Sequence, residues 1–135
     1  MRTLIVEDNF ISRCILQRLL STYGICDIAV NGKEALEAFF LGWEEEMPYD
    51  LICLDICMPE MNGQEALKAI RRFEAENGIG GTKGVKVIMT TAATDPAQIL
   101  SAFTTGCEAY LIKPVERENL LRHLQSLKLL DKHTG

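Results

Sequence analysis

No segment of the chain approaches the roughly 18–20 consecutive apolar residues that a membrane-crossing helix needs. The first apolar run, Leu4-Ile5-Val6, is cut short by Glu7-Asp8, so no secretory leader is expected. Positive charge is in deficit, with 14 Lys and Arg against 19 Asp and Glu and a net charge of −5, which excludes a phosphate-backbone footprint and predicts no direct nucleic-acid partner. Histidine is scarce: the two, His123 and His133, cannot build a transition-metal centre with cysteine. The cysteines, at 14, 26, 53, 57 and 107, are odd in number and contain no C-x-x-C pair. They read as reduced, small apolar residues, three of them (Cys14, Cys26, Cys53) inside apolar-periodic segments, and they point to the cytoplasm.

What remains is an ordinary globular composition, 47% apolar and 24% charged, and 135 residues suit one domain around one core. Short β-rich runs alternate with helical stretches. Thr3–Val6 reads as a buried strand, followed by a helical stripe of Ile11, Ile15 and Leu19 with Cys14 beside them, ending near Gly24. Cys26–Val30 reads as a second strand. Asn31 with Glu34, and Asn62 with Glu65, have the spacing of helix caps, before apolar sets of Leu36, Phe39 and Phe40 and of Leu67, Ile70 and Phe73. Leu51–Leu54, Val85–Met89 and Ala109–Ile112 are further strands. Asp95-Pro96 opens a helix that Gly106 closes, and Leu120, Leu124 and Leu127 mark a last one. Asn77–Gly84 is a longer surface loop. Five β-α repeats with strands apolar on both faces predict an α/β protein with a parallel sheet covered on each side.

In such a sheet, ligands bind beyond the carboxyl ends of the strands. Glu7 and Asp8 follow the first strand, Asp55 ends the third, Thr90 and Thr91 follow the fourth, and Lys113 with Pro114 follows the fifth. Three carboxylates on one edge repel and call for a cation. Oxygen ligands without His or Cys suit a hard ion, and Mg²⁺ better than a Ca²⁺ cage. A carboxylate can itself be a nucleophile, forming an aspartyl phosphate, with Lys113 and a threonine hydroxyl placed for the phosphoryl oxygens.

The runs Leu4-Ile5-Val6-Glu7-Asp8, Asp55-Ile56-Cys57-Met58-Pro59-Glu60-Met61-Asn62-Gly63, Met89-Thr90-Thr91-Ala92 and Tyr110-Leu111-Ile112-Lys113-Pro114 resemble the receiver domain of two-component response regulators, the CheY-like family. The likeness covers Arg2 to about Leu129. It implies a flavodoxin-like (βα)5 three-layer sandwich with sheet order 2-1-3-4-5. It also implies a phosphorylation-dependent switch that catalyses only its own phosphorylation and dephosphorylation. Carried over by position, Asp55 is the phospho-acceptor. Asp8, Asp55 and the backbone carbonyl of Cys57 ligate Mg²⁺, and Glu7 acts through water. Lys113 contacts the phosphoryl group, Thr91 is the switch hydroxyl with Thr90 the last residue of its strand, and Tyr110 is the switch aromatic. The family would place a sensor histidine kinase or phosphotransfer protein upstream. A downstream protein would bind the face made by the fourth helix, fifth strand and fifth helix. Cys57 and Ala93, at positions the family associates with phosphoryl lifetime, are both uncharged.

A flavin-binding flavodoxin would need a Ser/Thr/Gly-rich phosphate loop where Glu7-Asp8-Asn9 stands. A phosphatase with an aspartyl nucleophile would carry a second acid at the position of Cys57. Two further alternatives are an interaction module that is not phosphorylated and a receiver cut from a larger regulator or hybrid kinase. The expected organisation is a receiver over residues 1–130 and a short tail over 131–135, without an output domain.

Overall fold

The computed structural model describes residues 1–58, 61–80, 83–92 and 96–130. Expectations resting on Pro59, Glu60, Ala93, Asp95 and the 131–135 tail lie outside the described residues. Five strands, β1 (Arg2–Val6), β2 (Ile25–Ala29), β3 (Leu51–Asp55), β4 (Lys86–Thr91) and β5 (Ala109–Ile112), alternate with α1 (Phe10–Leu20), α2 (Gly32–Glu44), α3 (Gly63–Glu76), α4 (Pro96–Thr105) and α5 (Arg117–Ser126). All four strand pairings are parallel and the order is β2-β1-β3-β4-β5, the flavodoxin-like arrangement. No helix among the described residues is long and apolar enough to cross a membrane.

Alternation along the strands divides the apolar side chains between two cores. Leu4, Ile52, Leu54, Val87 and Met89 face Phe39 of α2, Leu67 and Ile70 of α3 and Ala102 of α4. Ile5, Leu51, Cys53, Ile88 and Leu111 face Leu16 and Leu20 of α1 and Leu120 and Leu124 of α5. At about 25 cal/mol per Å² of apolar surface, burying one such side chain contributes about 2 kcal/mol, so the sheet's central strands dominate the folding energy. Every residue of β3 is buried, as a central parallel strand requires.

Several expectations need correction. β2 is an edge strand, and Ile25 and Ile28 stay exposed because only one neighbour and part of one helix layer cover them. The inward face of α1 is Leu16 and Leu20, with Ile15 and Leu19 half-buried, whereas Ile11 and Cys14 point to solvent. A helix stripe has several phases in a sequence rich in leucine and isoleucine, and docking on the sheet selects one. Cysteine follows suit: all five are free thiols, Cys53 and Cys107 are buried, but Cys14 and Cys57 are exposed. β4 continues to Thr91, past the expected Thr90, because Thr90 and Thr91 pair with Leu111 and Ile112. Both expected caps form, Asn31 Oδ1 accepting from Glu34 N at 2.8 Å and Asn62 Oδ1 from Glu65 N at 2.9 Å. The Glu34 carboxylate accepts from Val30 N, one residue before the cap, rather than closing a reciprocal box. Gly106 closes α4 with φ +123°, its N–H and that of Cys107 both donating to Ala102 O.

Candidate functional site

Strand ends deliver the polar residues to one edge. Glu7 follows β1, held by its own N–H donating to Ala29 O on β2 (3.0 Å). Its carboxylate is fully buried. One oxygen accepts from Asn9 N at 3.0 Å, and the other meets the Lys113 ammonium. Asn9, which sequence reasoning assigned no role, caps α1 by accepting from Ser12 N at 2.9 Å. Asp8, next in the chain, is exposed.

Asp55 ends β3, buried, with Oδ1 accepting from Cys57 N at 3.3 Å and Oδ2 3.2 Å from Lys113 Nζ. Behind it, Gly63 N donates to Ile56 O at 2.9 Å, and a Cβ at Gly63 would lie 2.3 Å from Asp55 O. The glycine of the D-x-x-M-P-x-M-x-G run is therefore there for close approach of helix and strand end. Lys113, just past β5, is placed by its N–H donating to Thr91 O (2.8 Å). Thr91 is buried at the end of β4, in the alternation that faces Val87 and Met89 toward α3 and α4. Tyr110 lies further back on β5, half-buried against the same core, its ring edge-on to Phe103 of α4 at 5.7 Å and 80°. Tyr110 is thus separate from the carboxylate cluster but shares a sheet face with Thr91.

One oxygen each of Glu7, Asp8 and Asp55 lies within 4.8 Å of the others. Two of the three, Glu7 and Asp55, share the Lys113 ammonium. Burial and the Glu7 charge push the Asp55 carboxyl up to about 7, Lys113 offsetting only part. Burial raises the Glu7 carboxyl too, but its contacts with Lys113 and Asn9 N–H outweigh that and leave it below the ordinary range. Lys113 is held above its ordinary value, desolvation being overcome by Glu7 and Asp55. All-oxygen donors with excess negative charge fit a hard divalent cation such as Mg²⁺, and fit no soft metal.

In chelator, Asp55 binds its proton more tightly folded than unfolded, so its contribution is favourable at pH 4 and is lost as pH rises through about 7. Asp55→Asn should therefore stabilise the metal-free protein at pH 8 by on the order of 2 kcal/mol, with the gain vanishing toward pH 4. Urea unfolding at the two pH values measures this, and an equal effect at both would contradict the charge origin.

The response regulator receiver domain model matches residues 3–125. Two-component response regulator ORR1 of Oryza sativa subsp. japonica is 33% identical over 129 residues, covering 90% of this chain and 52% of the relative, so the chain spans about half that protein's length. Among solved structures, the complex of the Saccharomyces cerevisiae phosphotransfer protein Ypd1 with the receiver domain of Ssk1 matches with TM-score 0.81 and 33% identity, over 98% of this chain and 94% of that one. The CheX–CheY–BeF3–Mg complex of Borrelia burgdorferi matches with TM-score 0.81 and 25% identity, over 95% and 89%. With the sheet order, the acidic edge and these likenesses in agreement, the chain belongs to the response regulator receiver family of two-component signalling.

Proposed function

We propose that Asp55 accepts a phosphoryl group from a sensor histidine kinase or phosphotransfer protein, with Mg²⁺, and that the phosphorylated domain signals by binding a protein. The observation that carries this reading is the buried Asp55 carboxylate facing Lys113 Nζ at 3.2 Å, inside a cluster with Glu7 and Asp8. An Asp55 oxygen forms the bond to phosphorus while the bond from phosphorus to the donor's imidazole nitrogen breaks, and the electron pair leaves with that nitrogen. Asp8, Asp55 and the Cys57 carbonyl would hold Mg²⁺, with Glu7 acting through water. When bound, the ion would supply positive charge against the negative charge on the phosphoryl oxygens. Lys113 adds a second cation, already oriented by Glu7, and Thr91 donates a hydrogen bond to a phosphoryl oxygen. The Ssk1 receiver with Ypd1 and the CheY complex with BeF3 and Mg support this assignment by likeness. The reading places this switch in the cytoplasm, where five free thiols would stay reduced.

Incubation with acetyl phosphate and Mg²⁺ tests the proposal directly. The protein should gain the mass of one phosphoryl group, acid-stable and released by hydroxylamine, as acetate leaves. Absence of any adduct under conditions that label a known receiver would overturn it. Asp8→Ala should weaken Mg²⁺ binding at least about tenfold and slow labelling in proportion, as read by calorimetric titration. Unchanged affinity would remove Asp8 from the ligand set.

Output would run through α4, β5 and α5. A groove of about 500 Å³ lies over β5, with Phe103, Tyr110, Ile112, Glu116, Asn119 and His123 among its walls. Phosphorylation adds about two negative charges and new acceptor oxygens. Movement of the Thr91 hydroxyl toward them would free space on the face it shares with Tyr110, letting the ring turn inward and reshape that groove. Thr91→Ala should then still be phosphorylated on Asp55 while the Tyr110 ring resonances no longer shift with beryllofluoride. A Tyr110 rotamer that is the same in resting and activated wild type would move the output face elsewhere.

A further inference from the structure

The outward face of α2 carries an apolar stripe that neither the acceptor site nor the β5 groove uses. The helix buries Gly32, Ala35, Phe39 and Gly42, which turns Glu37, Phe40, Leu41 and Glu44 to solvent along one side. Phe40 is 39% exposed, Leu41 52%, and Met47, just beyond the helix, 51%. Phe40 is nevertheless fixed, its ring 5.7 Å from Phe39 and 5.2 Å from Phe73 of α3. An aromatic side chain held in place while presenting one face to water has little ordering entropy left to lose on association. Around it the surface is acidic: Glu37, Glu44, Glu45 and Glu46 are all exposed.

We infer that this face docks a protein segment bearing apolar side chains flanked by Lys or Arg, the apolar groups resting on Phe40, Leu41 and Met47 and the cations on the surrounding glutamates. Charge decides the class of occupant. A second copy of the chain would bring the same glutamates face to face in a two-fold pairing. An anionic lipid surface would be repelled by them as well. Because α2 packs on β1, β2 and α3, at the other end of the sheet from β5, a partner held here leaves the β5 groove free. This inference does not depend on phosphorylation of Asp55.

Trp43, the single tryptophan, lies 6.2 Å from the Phe73 ring beside this face and serves as the reporter. The probe is a synthetic peptide of leucine and lysine in helical alternation, with a second peptide in which glutamate replaces lysine. The lysine peptide should give a saturable change in Trp43 fluorescence, and the glutamate peptide should bind at least about tenfold more weakly. Phe40→Ser with Leu41→Ser, and separately Glu44→Lys with Glu45→Lys, should each weaken the lysine peptide at least about tenfold. Leu100→Ser, which removes a side chain 68% exposed on α4, should leave its affinity unchanged. Equal binding of both peptides, or binding that ignores the α2 substitutions or falls equally with Leu100→Ser, overturns the inference. So does a wild-type dimer in sedimentation that Phe40→Ser dissolves. If the apolar double variant fails to fold by circular dichroism, the charge variant decides alone.

Discussion

Asp55→Asn is expected to abolish acid-stable phosphoryl incorporation from acetyl phosphate altogether while leaving a folded protein. The amide keeps the volume and the capacity to accept from Cys57 N–H, so the close approach of Gly63 to Asp55 O survives. What it loses is the anionic oxygen that must bond to phosphorus. Glu7 is the only other buried carboxylate in the cluster, and it is engaged by Lys113 and Asn9 N–H. Asp8 is exposed but follows β1 and does not occupy the strand end facing Lys113. Intact-protein mass spectrometry in acid, with wild type alongside, reads the outcome. Full labelling of the variant would move the acceptor elsewhere and remove Asp55 from the mechanism.

At the opposite end of the sheet, Arg71→Ala is expected to destabilise the protein by about 3–5 kcal/mol. From α3, Arg71 Nε and Nη2 donate to Gly106 O at 3.0 and 2.7 Å, tying down the end of α4. Its Nη1 donates to Val85 O (2.8 Å) and Glu74 Oε1 (2.7 Å), and Nη2 meets both oxygens of Glu108 at 2.9 and 3.0 Å. The carboxylates go on to accept from Val85 N (2.7 Å) and Val87 N (2.6 Å), where β4 begins. Removing the guanidinium leaves Glu74 buried without its cation and Glu108 half-buried. Burial already holds the Glu108 carboxyl above its ordinary range, so protonation relieves the variant and the loss should be larger at pH 8 than at pH 5. Arg71→Lys should recover only part, since one ammonium cannot span two carboxylates and two carbonyls. Chemical denaturation at both pH values checks this. A change below about 1 kcal/mol would mean the network contributes geometry and little energy.

Much of this molecule is legible in its residues, and the parts that are share a physical reason. Apolar runs of four or five residues, spaced by helical stretches, admit few arrangements other than a covered parallel sheet. Once the strands are parallel, whatever follows each one lands on a common edge. Glu7, Asp8, Asp55, Thr91 and Lys113 could therefore be placed together from position alone. Asn31 and Asn62 likewise announce their helices, because a cap acts within three residues.

Other features depend on which surfaces meet. The phase of α1 was decided by docking, which buried Leu16 and Leu20 and left Ile11 and Cys14 outside. The exposure of Ile25 and Ile28 followed from β2 standing at the sheet's edge. The unequal fates of adjacent Glu7 and Asp8, one sealed against Lys113 and one in water, came from the turn into α1 and the arrival of β5 from 106 residues away in the chain. Arg71 shows the limit most clearly. It reads locally as one more charge on an amphipathic helix, and its partners Glu108 and Gly106 lie 37 and 35 residues on. Local periodicity and spacing determined the fold class and the carboxylate-bearing edge, because those rest on short-range repetition. Burial, ion pairing and helix phase were decided by the tertiary structure, because each depends on a neighbour that only folding supplies.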